Sequence, residues 1–264
     1  MTSVSPGWLW SQVFMGTAQR KFFLHGVPVF TYHSVARPPA GVRDPFLYVA
    51  PVQFERQLNL LRTAGFVAGG LTEATANNGN PGRKFVITFD DGYCNVLENA
   101  APVLRQFGFR AIQFITVNFI GGRNEWMLHD GDVPERLMAR REIQEWLSAG
   151  HEIGSHSLSH PQLAKAPLAR ARQEIADSKK RLEDMFSSPI RHFCYPYGSW
   201  NETVRELVAE AGYETACTTN FGVNTLATPR HAMRRIVPLS AAELVWKVSH
   251  RLKWHVRKRL LSRS

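Results

Sequence analysis

Two adjacent carboxylates, Asp90 and Asp91, followed by Gly92, close the apolar run Phe85-Val86-Ile87-Thr88-Phe89. Farther along, His156 and His160 stand four residues apart in His-Ser-Leu-Ser-His, close enough on one helical turn or in a compact loop to reach the same ion. Two imidazoles and one carboxylate would leave positions open for water on a bound cation, the ligand count of catalytic rather than structural metal sites. A second carboxylate beside the first then has its own role, because one acid can ligate while its neighbour accepts the proton of an attacking water. His33, after Val29-Phe30-Thr31-Tyr32, and Tyr197, in Tyr195-Pro196-Tyr197-Gly198, also follow apolar runs.

The elements that must hold these groups follow from hydrophobic spacing. A β-branched and aromatic run such as 85–89 suits a strand covered on both faces, as in a parallel sheet, and Gly92 suits the sharp exit from it. Phe54, Leu58 and Leu61 share a helical face that Gly65 ends, and Val96, Ala100, Val103, Leu104 and Phe107 share another, with Pro102 marking a kink or a late start. Residues 121–136 read as a long surface loop, Leu168 to Met185 as the longest helix, and Asn201 as the cap of the helix bearing Val204, Leu207 and Val208. Strands and helices alternate from Val27 onward without an internal linker, which predicts one α/β domain with a parallel sheet, open or closed into a barrel. In such a barrel, functional groups gather where strands end and lead into helices.

A chain of 264 residues, 44% hydrophobic and 20% charged, is long enough for such a core. Its net charge of +10 is uneven, because seven Lys/Arg and no acid fall from Lys247 onward. There Leu244, Val248, Leu252 and Val256 form an apolar stripe, a basic amphipathic helix that would pack on the domain or meet an anionic membrane. Cys94, Cys194 and Cys217 have neither the count nor the spacing of a disulfide framework, so a reducing compartment is expected. No run approaches the ~20 apolar residues of a membrane helix, and the N-terminus does not read as a signal peptide. The expected location is cytoplasmic, with the tail a candidate contact for the inner membrane face; no nucleic-acid partner is expected.

Thr88-Phe89-Asp90-Asp91-Gly92, His156 to His160, and Tyr195-Pro196-Tyr197-Gly198 together resemble, in the same order, the first three motifs of the polysaccharide deacetylase family, carbohydrate esterase family 4. The resemblance covers roughly Pro28 to Leu239. It implies a distorted (β/α) barrel that removes acetyl groups from sugar polymers with a divalent metal, Zn²⁺ first, Co²⁺ or another transition metal otherwise. Carried over residue by residue, it makes Asp91, His156 and His160 the metal ligands and Asp90 the general base. The Tyr197 backbone N–H becomes a donor to the oxyanion.

Three features depart from the family pattern. Cys194 stands where the third motif carries an arginine, no downstream acidic-tryptophan motif is present, and no Leu-x-His lies near the C-terminus to supply the general acid. Thr31-Tyr32-His33-Ser34 resembles the Tyr-His element of the exopolysaccharide-type subgroup, which makes His33 the candidate acid. For the missing arginine, Arg235 is the candidate substitute beside Asp90, with Arg234 next. His129, His151, His192 and His231 read as structural, and Trp126, Trp146 and Trp200 as core or groove-lining residues. The expected organisation is an extension over 1–26, a catalytic domain over 27–242 and a basic tail over 243–264. The expected activity is N-deacetylation of an N-acetylglucosamine-type polysaccharide or oligosaccharide. An O-acetyl esterase on a polysaccharide and a non-catalytic glycan-binding protein are the alternatives.

Overall fold

Short apolar runs separated by amphipathic segments become parallel strands joined by helices. The computed structural model of the chain describes residues 25–75, 82–130 and 133–238, and the expectations for the N-terminal extension and the basic tail lie outside them. The eight described strands are β1 (Val29–Tyr32), β2 (Val67–Ala68), β3 (Lys84–Phe89), β4 (Ile112–Ile115), β5 (Glu152–Ser155), β6 (His192–Cys194), β7 (Thr215–Phe221) and β8 (Met233–Arg235). All pair in parallel in the order β1-β3-β4-β5-β6-β7-β8, with β2 on the first two residues of β3. The ring closes because Thr31 donates its N–H to Ile236 O at 2.9 Å and Ile236 donates to Val29 O at 2.8 Å. Closure leaves no open edge between β1 and β8, while β2 lies outside the ring on β3.

The helices are α1 (Pro51–Thr63), α2 (Leu71–Ala74), α3 (Ala101–Phe107), α4 (Arg140–Ser148), α5 (Leu168–Phe186) and α6 (Glu202–Glu210). Asn201 caps α6 by accepting the Val204 N–H at 2.9 Å, as its residue type predicts. Val96–Ala100 widens into a π-helical turn just before α3. Pro102 explains the position, since a wider turn accommodates a residue with no N–H to donate. The 121–136 segment is more ordered than a plain loop: it contains a helical turn, Glu125–Asp130, and an antiparallel bridge between Arg123 and Arg136.

Two apolar layers hold the barrel. Val29, Val86, Ile112, Phe114, Cys194, Cys217 and Met233 form one cluster, joined by Leu71 and Ala74 of α2. On the helix side, Tyr32, Phe54, Phe89 and Trp146 make a chain of ring contacts at 5.1, 5.7 and 6.0 Å. These layers use the strands' alternate faces, so β1, β3, β4 and β6 are buried on both sides. Among the described residues, no helix is long and apolar enough to cross a membrane.

Candidate metal centre and active site

The barrel brings the sequence's chemical groups to the ends of its strands. Asp90 and Asp91 follow β3, His156 follows β5, Cys194 ends β6, Arg235 ends β8 and His33 follows β1. The backbone there is unusual: Asp91, Ser157, His160 and Tyr197 all have positive φ, at 74°, 67°, 60° and 56°. Each non-glycine residue in this region costs of order 1–3 kcal/mol, so the surrounding structure must hold these turns in place.

The holding contacts are specific. Glu174, buried on α5, accepts the backbone N–H of Leu158 at 2.9 Å, that of Ser159 at 2.8 Å, and the Ser159 hydroxyl, fixing the loop between the two histidines. Ser157 Oγ accepts the His160 N–H at 3.0 Å. Around Tyr197, Gly198 lies so close to Thr219 that a Cβ would fall 2.0 Å from its hydroxyl oxygen, so only glycine fits there.

Asp91 Oδ1, His156 Nε2 and His160 Nε2 converge. Their separations are 3.4 Å for Asp91–His156, 3.3 Å for Asp91–His160 and 3.2 Å between the imidazoles. Atoms so spaced lie ~1.9 Å from their common centre, close to the ~2.0–2.2 Å of a zinc bond to imidazole nitrogen or carboxylate oxygen. Asp91 Oδ1 is buried without a well-formed hydrogen bond. His156 Nδ1 is 2.7 Å from the Cys194 carbonyl, which can only accept, so Nδ1 carries the proton and Nε2 is left as the ligand atom. The residues therefore fit a divalent cation.

The electrostatics agree. Burial alone would raise the Asp91 carboxyl, but the imidazoles of His156 and His160 facing it hold it well below its ordinary value. Burial alone would lower His156, yet Cys194 and the neighbouring carboxylates push it well above the usual imidazole value. For His160 burial wins and the shift is downward.

Asp90 sits in a different environment. Arg235 grips it with two parallel bonds, NH1 to Oδ1 at 2.8 Å and NH2 to Oδ2 at 2.7 Å, and both side chains are buried. The guanidinium is itself fixed by Nε donating to Thr218 O at 2.9 Å and NH1 to Thr88 Oγ1 at 3.2 Å. Burial would raise the Asp90 carboxyl, but the Arg235 charge and hydrogen bonds outweigh it and keep it below its ordinary value. Cys194 leaves room for this, its Sγ lying 3.2 Å from the Arg235 guanidinium. Arg235, not Arg234, thus occupies the position beside the acid. His33 Nε2 is 3.8 Å from Asp90 Oδ2, with its side chain 24% exposed.

Tyr197 presents its ring to His160 at a centroid distance of 4.5 Å. Of the other histidines, His151 packs on Trp146, His192 meets Thr215 and Glu152, and His231 meets the Tyr213 carbonyl. The side chain of His129 lies outside the described residues. Trp200 stacks on Tyr195 and Trp146 is core. The sequence reading passed over Glu174 and Tyr93, and Trp126, expected as a core or groove-lining residue, stacks on His160. Glu174 had a legible signal, since it lies on the buried α5 stripe with Ala171, Ile175 and Ser178.

A parallel barrel with a two-histidine, one-carboxylate cluster beside a clamped second carboxylate presents a candidate metal centre at its strand ends. The polysaccharide deacetylase family profile matches residues 77–216, and the chain belongs to that family. It is 27% identical over 214 residues to YxkH of Bacillus subtilis, covering 80% of this chain and 70% of that protein. It is 28% identical over 141 residues to the poly-β-1,6-N-acetyl-D-glucosamine N-deacetylase of Staphylococcus aureus, covering 50% of this chain and 46% of that enzyme, so the match spans just under half of it. The fold is shared with Streptococcus pyogenes deacetylase PplD, solved with acetate, at a TM-score of 0.68 and 22% identity over 85% of this chain and 98% of that one.

Proposed function

We propose that this chain is a metal-dependent N-deacetylase acting on N-acetylglucosamine-type glycans, with β-1,6-linked N-acetylglucosamine the substrate class to test first. The observation that carries the reading is the meeting of Asp91, His156 and His160 beside an Asp90 held by Arg235. The relatives named as deacetylases of that polymer support the choice of sugar.

Asp91, His156 and His160 would hold the cation, which when bound supplies Lewis acidity and makes a water more acidic. Asp90, kept anionic and oriented by Arg235, takes the proton of the water that attacks the acetamide carbonyl. The Tyr197 N–H, carried in a left-handed turn, donates to the oxyanion that forms. His33 then protonates the nitrogen as the C–N bond breaks, leaving acetate and a free amine. An O-acetyl esterase would use the same groups with less need of His33, because an alkoxide leaves far more readily than an unprotonated nitrogen anion.

The test is acetate release from β-1,6-linked N-acetylglucosamine oligomers and from O-acetylated xylan, with chelator, Zn²⁺ or Co²⁺. Metal-dependent release from the amide substrate is expected. Release from xylan alone would make the chain an esterase, and release from neither would favour a glycan-binding role.

A further inference from the structure

The two histidines of the metal centre offer equivalent atoms to one point but are oriented by different means. His156 has its far nitrogen tied to the Cys194 carbonyl at 2.7 Å, the usual way a ligand imidazole is fixed. His160 has none of this: its Nδ1 is buried and, among the described residues, meets no hydrogen-bond partner. Its ring is instead enclosed by other rings. Trp126 stacks on it face to face at 4.6 Å with 25° between planes, and Tyr197 meets it edge-on at 4.5 Å and 65°.

Trp126 is placed for this contact by its own segment. Leu137 donates to Gly122 O at 2.9 Å and Asn124 to Glu135 O at 3.2 Å, closing the base of the excursion, and Phe119 props the indole from the side at 4.9 Å. The indole Nε1 is buried without a protein hydrogen bond, so what Trp126 contributes here is its face. The same segment also holds Tyr93, whose hydroxyl accepts from Asn124 Nδ2 at 3.0 Å.

We propose that Trp126 is a positioning residue of the metal centre: its indole sets the ring plane of His160, a ligand that no protein hydrogen bond orients, and thereby strengthens binding of a divalent cation. The inference rests on the metal-centre reading above. Two physical effects contribute. An imidazole already held in its binding orientation loses less freedom when the ion arrives. A metal-bound imidazole is also poorer in electrons, which favours the electron-rich indole face.

The experiment is Zn²⁺ titration of the chelator-stripped full chain against a chromophoric competitor, with the visible spectrum of the Co²⁺ form as a report on ligand geometry. Trp126→Leu should weaken Zn²⁺ binding by about 10-fold or more, the size expected for loss of a supporting contact, and should alter the Co²⁺ spectrum. Trp126→Phe, which retains an aromatic face and disturbs the packing less, should keep most of the affinity. In a His160→Ala background, Trp126→Leu should cost nothing further, because the tryptophan acts through that ring. Unchanged affinity in Trp126→Leu, an equal loss in Trp126→Phe, or the same loss with and without His160 would each overturn the proposal. Failure of the wild type to bind Zn²⁺ or Co²⁺ would overturn the metal centre itself, a result separable from the others because it precedes any substitution.

Discussion

Asp90 has both carboxylate oxygens committed to the Arg235 guanidinium, at 2.8 and 2.7 Å, while Asp91, one residue on, turns a buried oxygen toward two imidazoles without a well-formed hydrogen bond. The two acids share a strand end, near-complete burial and a depressed carboxyl. They differ in satisfaction. A buried carboxylate with its hydrogen bonds made is a group whose orientation the protein has fixed. One left facing two nitrogen ligands is costly unless something positive joins it. In the proposed mechanism this contrast is what assigns Asp90 as base and Asp91 as ligand, beyond what their adjacency in the sequence can.

The contrast breaks most simply at Asp91. Asp91→Ala should abolish both Zn²⁺ binding and acetate release, and should remove the metal-induced rise in Tm expected of the wild type, about 2.7 kcal/mol of stabilisation at a hundredfold excess over Kd. If the variant still bound Zn²⁺ with wild-type affinity, Asp91 would not be a ligand.

Asp90→Asn should do the opposite, keeping metal affinity while lowering turnover by ~10²–10⁴-fold, the range of a general acid–base contribution. Loss of metal in this variant would erase the distinction between the two acids. His33→Ala sharpens it from the other side of Asp90: amide hydrolysis should fall by a similar ~10²–10⁴-fold, and hydrolysis of an ester with a good leaving group far less. Equal losses on both substrates would assign His33 to binding or structure.

Arg235→Met tests the clamp. It leaves Asp90 buried without its partner and should cost about 3–5 kcal/mol of folding stability, measured by denaturant unfolding. The pH dependence has a definite sign. Asp90 titrates below its ordinary 3.8 in the folded protein, so the pair's contribution is present above that value and lost as pH falls through the depressed one. The stability gap between wild type and Arg235→Met should therefore narrow below about pH 4. A gap independent of pH would mean that Arg235 stabilises by packing alone.

The smallest effect is expected at Glu174, which supports the site at one remove. Glu174→Gln keeps the shape but weakens the bonds to Leu158 N, Ser159 N and the Ser159 hydroxyl, and should lower stability by roughly 1–3 kcal/mol. Metal affinity should fall modestly with it, and an unchanged affinity would show that the loop between the histidines holds its shape unaided.

Much of this molecule was written in local sequence. Strand β3 followed from an apolar run that only a doubly covered strand would use, α6 from Asn201 and its apolar spacing, and the candidate cluster of Asp91, His156 and His160 from residue types near strand ends. The motifs also carried the family, which the profile match bears out. Tertiary structure alone decided what no spacing encodes. Arg235 is 145 residues from Asp90, and closure of the barrel between β8 and β1 brings its guanidinium onto that carboxylate, filling the place that Cys194 leaves open. Trp126 belonged to a segment read as surface loop, and only the folding of 121–137 back on itself lays its indole on His160. The physical reason is common to both: hydrophobic periodicity fixes which face of an element is buried, whereas ion pairs and ring stacks depend on which strand ends the closed barrel makes neighbours.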